Sequence, residues 1–92
     1  MKAAYERGIF VGGKRIYPPK GLQFVAGAGL VRVQWQGRSV ARIEKDNSRW
    51  VIYDRSGRAH GQEKRKAFAK AACVLEAHKA LSQGRQPFEV AA

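Results

Sequence analysis

Residues 30–54, Leu-Val-Arg-Val-Gln-Trp-Gln-Gly-Arg-Ser-Val-Ala-Arg-Ile-Glu-Lys-Asp-Asn-Ser-Arg-Trp-Val-Ile-Tyr-Asp, decide the fold. Leu30 to Trp35 alternates, with Val31, Val33 and Trp35 on one face and Arg32 and Gln34 on the other, the period of a half-buried strand. Gln36-Gly37-Arg38 reads as a three-residue hairpin loop holding a glycine. That register sets Trp35 opposite Ser39, Val33 opposite Ala41 and Val31 opposite Ile43, so one face stays apolar. A two-residue loop would bring Arg38 and Arg42 among the valines, and the longer loop is preferred for that reason. Lys45-Asp46-Asn47-Ser48 is rich in turn formers. It pairs Glu44 with Arg49 and Ile43 with Trp50. A third strand over residues 49–54 then adds Trp50 and Ile52 to the core. The opposite face collects Arg32, Gln34, Val40, Arg42, Glu44, Arg49, Val51 and Tyr53, a basic and partly aromatic surface.

Downstream, a glycine-punctuated turn at residues 57–61 leads into a helix expected over residues 63–82. At about 100° per residue, Ala67, Phe68, Ala71, Val74, Leu75, His78 and Leu81 share one arc. This arc is expected to cover Trp35, Trp50 and Ile52. The far side carries Arg65, Lys66, Lys70 and Glu76, with small Ala69, Cys73, Ala77 and Ala80 between them. Gly84 is a C-terminal stop, and Pro87 prevents the helix from resuming. Phe88 and Val90 either fold back onto the core or belong to a free tail.

Upstream, residues 1–8 form a short helical turn or fray. Ile9 to Tyr17 reads as a small hairpin, because Gly12-Gly13 suits a two-residue primed turn. Pro18-Pro19-Lys20-Gly21 stops regular structure. Leu22 to Gly29 is apolar but glycine-broken: a short strand, or a loop packing Phe24 and Val25 over the core. The expectation is therefore an α+β fold, a three-stranded antiparallel sheet packed on one C-terminal helix (β-β-β-α) over residues 30–84. Residues 1–29 form an N-terminal hairpin extension with an irregular segment, and residues 85–92 form a tail.

Ninety-two residues suffice for one modest core. No stretch approaches the roughly 18 apolar residues of a membrane span, and Met-Lys-Ala-Ala-Tyr-Glu-Arg lacks the apolar centre of a signal peptide. One cysteine forms no internal disulfide, so a cytoplasmic location is expected. Eighteen Lys and Arg against seven Asp and Glu leave a formal charge of +11, which favours polyanionic partners.

The charge is most conspicuous at the helix start. Lys64, Arg65 and Lys66 crowd the end of the helix that already carries partial positive charge, a cost of a few tenths to about 1 kcal/mol each. Only Glu63 opposes them, and no Ser, Thr, Asp or Asn stands ready as a cap. An external phosphate against this end would account for the placement. The contrasting reading of Lys64, Arg65, Lys66 and Lys70 is a solvated polar face. For the strand arginines it is solubility and protection against edge pairing.

Residues 57–72 resemble the end of a double-stranded-RNA-binding domain. Gly57, Ala59 and Gly61 stand in that family's glycine places, Lys64, Arg65 and Ala67 in its Lys-Lys-x-Ala run, and Ala71 and Ala72 in its alanine pair. The resemblance implies that Lys64 and Arg65 clamp phosphates. The family's third lysine is Phe68 here, and its first helix and histidine-bearing loop have no counterpart. Three strands and a helix also resemble the plant ethylene-response-factor type of DNA-binding domain and the arm-binding domains of phage integrases. Those place the exposed sheet face in the major groove, which implies such a role for Arg32, Arg42, Arg49 and Tyr53.

Catalytic and metal-binding patterns are missing. His60, Cys73 and His78 lack zinc-site spacing, and Asp46 and Asp54 have no paired carboxylate or nucleophile nearby in sequence. His60 is a turn residue within reach of a phosphate or a base edge, His78 a core histidine, and Cys73 inert. Trp35 and Trp50 belong to the core by register; the rival reading makes one of them a stacking platform for bases. The function expected is non-catalytic binding of double-stranded nucleic acid, DNA over RNA, without cofactor. The contact residues would be Lys64, Arg65, Lys66, Lys70, Arg32, Arg42, Arg49, Tyr53 and His60. The alternative is a small phage- or plasmid-type interaction module docking on an acidic protein, marked by an exposed patch of Phe24, Val25 and Phe88.

Overall fold

The computed structural model describes residues 8–89. The expected helical turn or frayed end at residues 1–8 falls almost wholly outside them, as does Val90. In chain order come β1 (Ile9–Val11), β2 (Lys14–Ile16), β3 (Leu22–Gly27), β4 (Leu30–Trp35), β5 (Arg38–Asp46), β6 (Arg49–Asp54), β7 (Ala59–Glu63) and α1 (Lys66–Ser82). The class is α+β, with β1 and β2 forming the expected hairpin. The main sheet has five strands in the order β3-β4-β5-β6-β7, all antiparallel, and not three. The two added strands come from glycine-containing stretches. Residues 22–27 pair fully with β4, and residues 59–63 pair with β6 although the glycines at 57 and 61 mark a turn in the sequence.

Four tight turns explain the meander. Gly12-Gly13, Ala28-Gly29, Gln36-Gly37 and Asn47-Ser48 all have positive φ at both residues, between 48° and 84°. Two-residue turns of this hand match the right-handed twist of the strands they join. The three-residue loop at Gln36-Gly37-Arg38 is thus corrected to two residues, with Trp35 opposite Arg38. A register shift between Val33 and Gln34 then leaves Val40 as an extra residue in β5. This bulge restores the expected partners Val33–Ala41 and Val31–Ile43, and it turns Val40 inward to burial. The next turn is also shorter than expected. Asp46 pairs with Arg49, Glu44 with Val51 and Ile43 with Ile52, two residues from the anticipated register and therefore on the same faces.

The core lies between one sheet face and α1. Val33 and Ile43 are fully buried at its centre, with Val31, Trp35, Ala41 and Ile52 beside them. The helix meets this face through Ala69, Cys73, Val74, Ala77 and Ala80. Of the expected arc only Val74 is fully buried. Phe68, Leu75 and Leu81 remain exposed, and the small residues assigned to the far side face the sheet. The large branched and aromatic side chains of the strands already fill the interlayer space. A helix carrying alanines and one cysteine can therefore approach at native packing density. Burial pushes the Cys73 thiol up to about 12, with Glu76 adding to the effect.

Ile9 and Ile16 pack on the core from the N-terminal hairpin, and the Nε2–H of His78 donates to the Tyr17 carbonyl. Pro87 and Phe88 are buried, so the start of the expected tail belongs to the core. Among the described residues no helix is long and apolar enough to cross a membrane.

Candidate nucleic-acid interface

The sheet face away from α1 carries a row of side chains fixed by register. Val25 lies opposite Arg32, Arg32 opposite Arg42, and Arg42 opposite Tyr53. Arg42 is held from two sides. Its Nε donates to Glu44 Oε1 at 2.9 Å, and its guanidinium lies 4.7 Å from the centre of the Tyr53 ring. At this exposure the ion pair is worth about 0–1 kcal/mol and the cation–π contact about 0.5–1 kcal/mol. The consequence is geometric: the guanidinium plane is fixed while both terminal nitrogens stay available. Tyr53 Oη donates at 3.5 Å to Asp46, which neighbours Arg49. Gln34 and Gln62 add amides on the same face. Arg32 and Arg49 are exposed and make no ion pair with any described residue.

The helix-start group divides. Arg65 is the N-cap, with extended backbone and no side-chain cap, so Lys64 precedes the helix and only Lys66 lies within its first turn. The first turn holds no acidic residue. Two of these cations have internal aromatic partners: Lys66 Nζ lies 5.4 Å from the Trp50 ring and the Arg65 guanidinium 5.9 Å from that of Phe68. Those contacts offset part of the dipole conflict without an outside anion. Lys70 lies 5.9 Å from the Phe24 ring, on the helix side of the sheet. Lys66 and Lys70 are thus remote from the outer row. The next register step beyond the Trp50–Glu63 pair sets Lys64 and Arg49 at the same end of the sheet.

His60 belongs to a different cluster. It is the extra residue of a bulge in β7, and its Nε2 lies 2.8 Å from Asp54 Oδ2. Asp54 is buried and also accepts from the Ser56 hydroxyl and from the backbone N–H groups of Ser56 and Arg58. The Ser56 hydroxyl first, then His60, and then the two backbone donors hold its carboxyl well below the usual aspartate range, against the opposing effect of burial. The His60 ring meets Phe88 edge-on at 5.5 Å. This knot fixes the β6–β7 loop. An aspartate followed two residues later by serine, then by glycine, was its sequence signal.

The anticipated apolar patch does not form: Phe88 is buried and Phe24 half-buried, leaving Val25 exposed on the outer face. Among the described residues no group of three His, Cys, Asp or Glu side chains could hold a metal ion. Compared with known protein families, curated proteins and solved structures, the chain matches none.

Proposed function

We propose that this domain binds double-stranded nucleic acid without catalysis, DNA in preference to RNA, through the outer face of its sheet. The observation that carries the reading is the Arg32–Arg42–Tyr53 row, left uncovered by the helix and held in one plane by cross-strand pairing. Arg32, Arg49 and Lys64 supply charge for phosphates, with Arg65 beyond them at the same end. Each phosphate neutralised releases counterions, so log affinity falls with log salt by about 0.9 per contact on B-form DNA. Arg42 plays a different part. With Nε engaged by Glu44, its two terminal nitrogens can meet a base edge as a pair, the geometry suited to guanine. A B-form major groove admits a shallow sheet, whereas the A-form major groove is too narrow for side chains to read, and this favours DNA.

Gel-shift titrations of duplex DNA, duplex RNA and single strands at two salt concentrations test the reading. Replacing Arg32 and Arg49 by Gln flattens the salt slope by about two. Arg42→Lys keeps the charge but loses the paired donors, and it weakens preference among duplex sequences more than overall affinity. Binding unchanged in the Arg32, Arg42 and Arg49 variants excludes the sheet face. A loss confined to Gln variants of Lys64, Arg65 and Lys66 transfers the contact to the helix start.

A second reading, docking on an acidic protein, is favoured by the solvent side of α1, where Phe68 is 54% and Leu75 37% exposed. It predicts duplex binding no stronger than that of any protein of equal charge.

A further inference from the structure

A second potential binding site lies on the helix side, at the end of the sheet away from the start of α1. The β4–β5 turn and the segment after α1 enclose a cleft of about 500 Å³, within the roughly 300–1,000 Å³ of small-ligand sites. Buried Trp35, Val40, Pro87 and Phe88 form its apolar floor. Arg38 and Arg55 line it together with Gln36 and Gln86. Neither arginine forms an ion pair with a described residue, and Glu89, the one carboxylate in the lining, lies beyond ion-pair distance of both.

Departures from regular backbone converge on this cleft. Phe88 has φ +56 and Gln36 φ +51, left-handed values that non-glycine residues rarely adopt and that cost a bulky side chain about 1–3 kcal/mol. Val40 is the extra residue of the β5 bulge. Phe88 is held in place by the His60 ring, itself anchored on Asp54. Gln36 and Val40 belong to the β4–β5 turn and its compensating bulge, so Phe88 is the departure at this cleft that strand pairing does not explain. The ligand chemistry follows from the lining: two guanidinium groups for an anion, two amides for the edge of a planar heterocycle, and an apolar floor.

We infer that this cleft binds a nucleoside monophosphate unit, its phosphate on Arg38 and Arg55 and its base toward Gln36 and Gln86. Such a unit is either a free nucleotide or the 5′-phosphorylated end of a strand. The inference does not depend on the outer sheet face, which lies on the other side of the sheet.

Titration of the full chain with adenosine 5′-monophosphate, followed by amide NMR shifts, tests it. The expected result is saturable shifts at Gln36, Arg38, Arg55 and Gln86, with little response to adenosine. Arg38→Gln and Arg55→Gln each weaken binding about tenfold or more while leaving the amide spectrum of the core unchanged. An equal response to inorganic phosphate reduces the cleft to an anion site and overturns the nucleotide assignment. No saturable shift, or shifts that survive both substitutions, overturns the site. An oligonucleotide carrying a 5′-phosphate that binds more tightly than the mononucleotide assigns the source to strand ends, and the reverse order assigns it to free nucleotide. Duplex binding by Arg32 and Arg42 variants is scored separately, so failure of one site leaves the other standing.

Discussion

The two faces of the five-stranded sheet are built from the same strands but obey different rules. The inner face takes large side chains from the sheet and small ones from α1, and its centre is closed to solvent. Among the described residues no helix or second sheet covers the outer face, and charged and aromatic side chains stand there in a register set by the inner one. Because side chains alternate along a strand except at the bulges of β5 and β7, selection for a closed inner face also fixes which arginines line up outside. The backbone register of the outer row is therefore set by the core beneath it, yet the row contributes little to stability.

That contrast can be broken most directly at Ile43. Ile43→Ala removes a fully buried side chain at the sheet centre and costs about 2–5 kcal/mol in chemical denaturation. A loss below 1 kcal/mol would mean that the inner face is loosely packed. Ala77→Leu on the helix costs about 1–3 kcal/mol, since the close approach of α1 leaves no room for three more carbons. If the expected arc of Phe68 and Leu75 faced the sheet instead, Ala77→Leu would be neutral.

Asp54 sharpens the comparison in acid. Its carboxyl titrates lower in the folded chain than in the unfolded one, so its contribution is present above pH about 4 and disappears as pH falls below that. Asp54→Asn should lower the thermal midpoint at pH 7, and the gap to the parent protein should close in acid. A gap that is constant with pH would show that the carboxylate charge is irrelevant. At the β5–β6 turn, Ser48→Gly replaces a side chain at φ +67 and raises stability by about 0.5 kcal/mol, measured by denaturant midpoint. Smallest of all, Arg32→Gln with Arg42→Gln changes stability by no more than about 0.5 kcal/mol. Any larger loss would make the outer row part of the scaffold and weaken its reading as a contact surface.

The alternation of Val31, Val33 and Trp35 and the pattern of residues 39–54 determined three antiparallel strands and the membership of Arg32, Arg42, Arg49 and Tyr53 in one face, while Gly12-Gly13 marked the N-terminal hairpin and the period of residues 63–82 the C-terminal helix. Those features follow from side-chain periods of two residues in strands and about 3.6 in helices, which are local properties. The tertiary structure alone decided the rest. Residues 59–63 became a strand because β6 offered a free edge, and Val40 became a bulge because a two-residue turn had to be reconciled with an apolar inner face. The helix presented Ala69, Cys73 and Ala77 to the sheet because the strands had already supplied the bulk. The cleft flanked by Arg38 and Arg55 likewise arises only where the segment after α1 returns to the β4–β5 turn. Each of these is a competition for shared space between segments distant in sequence, and no local pattern records who wins it.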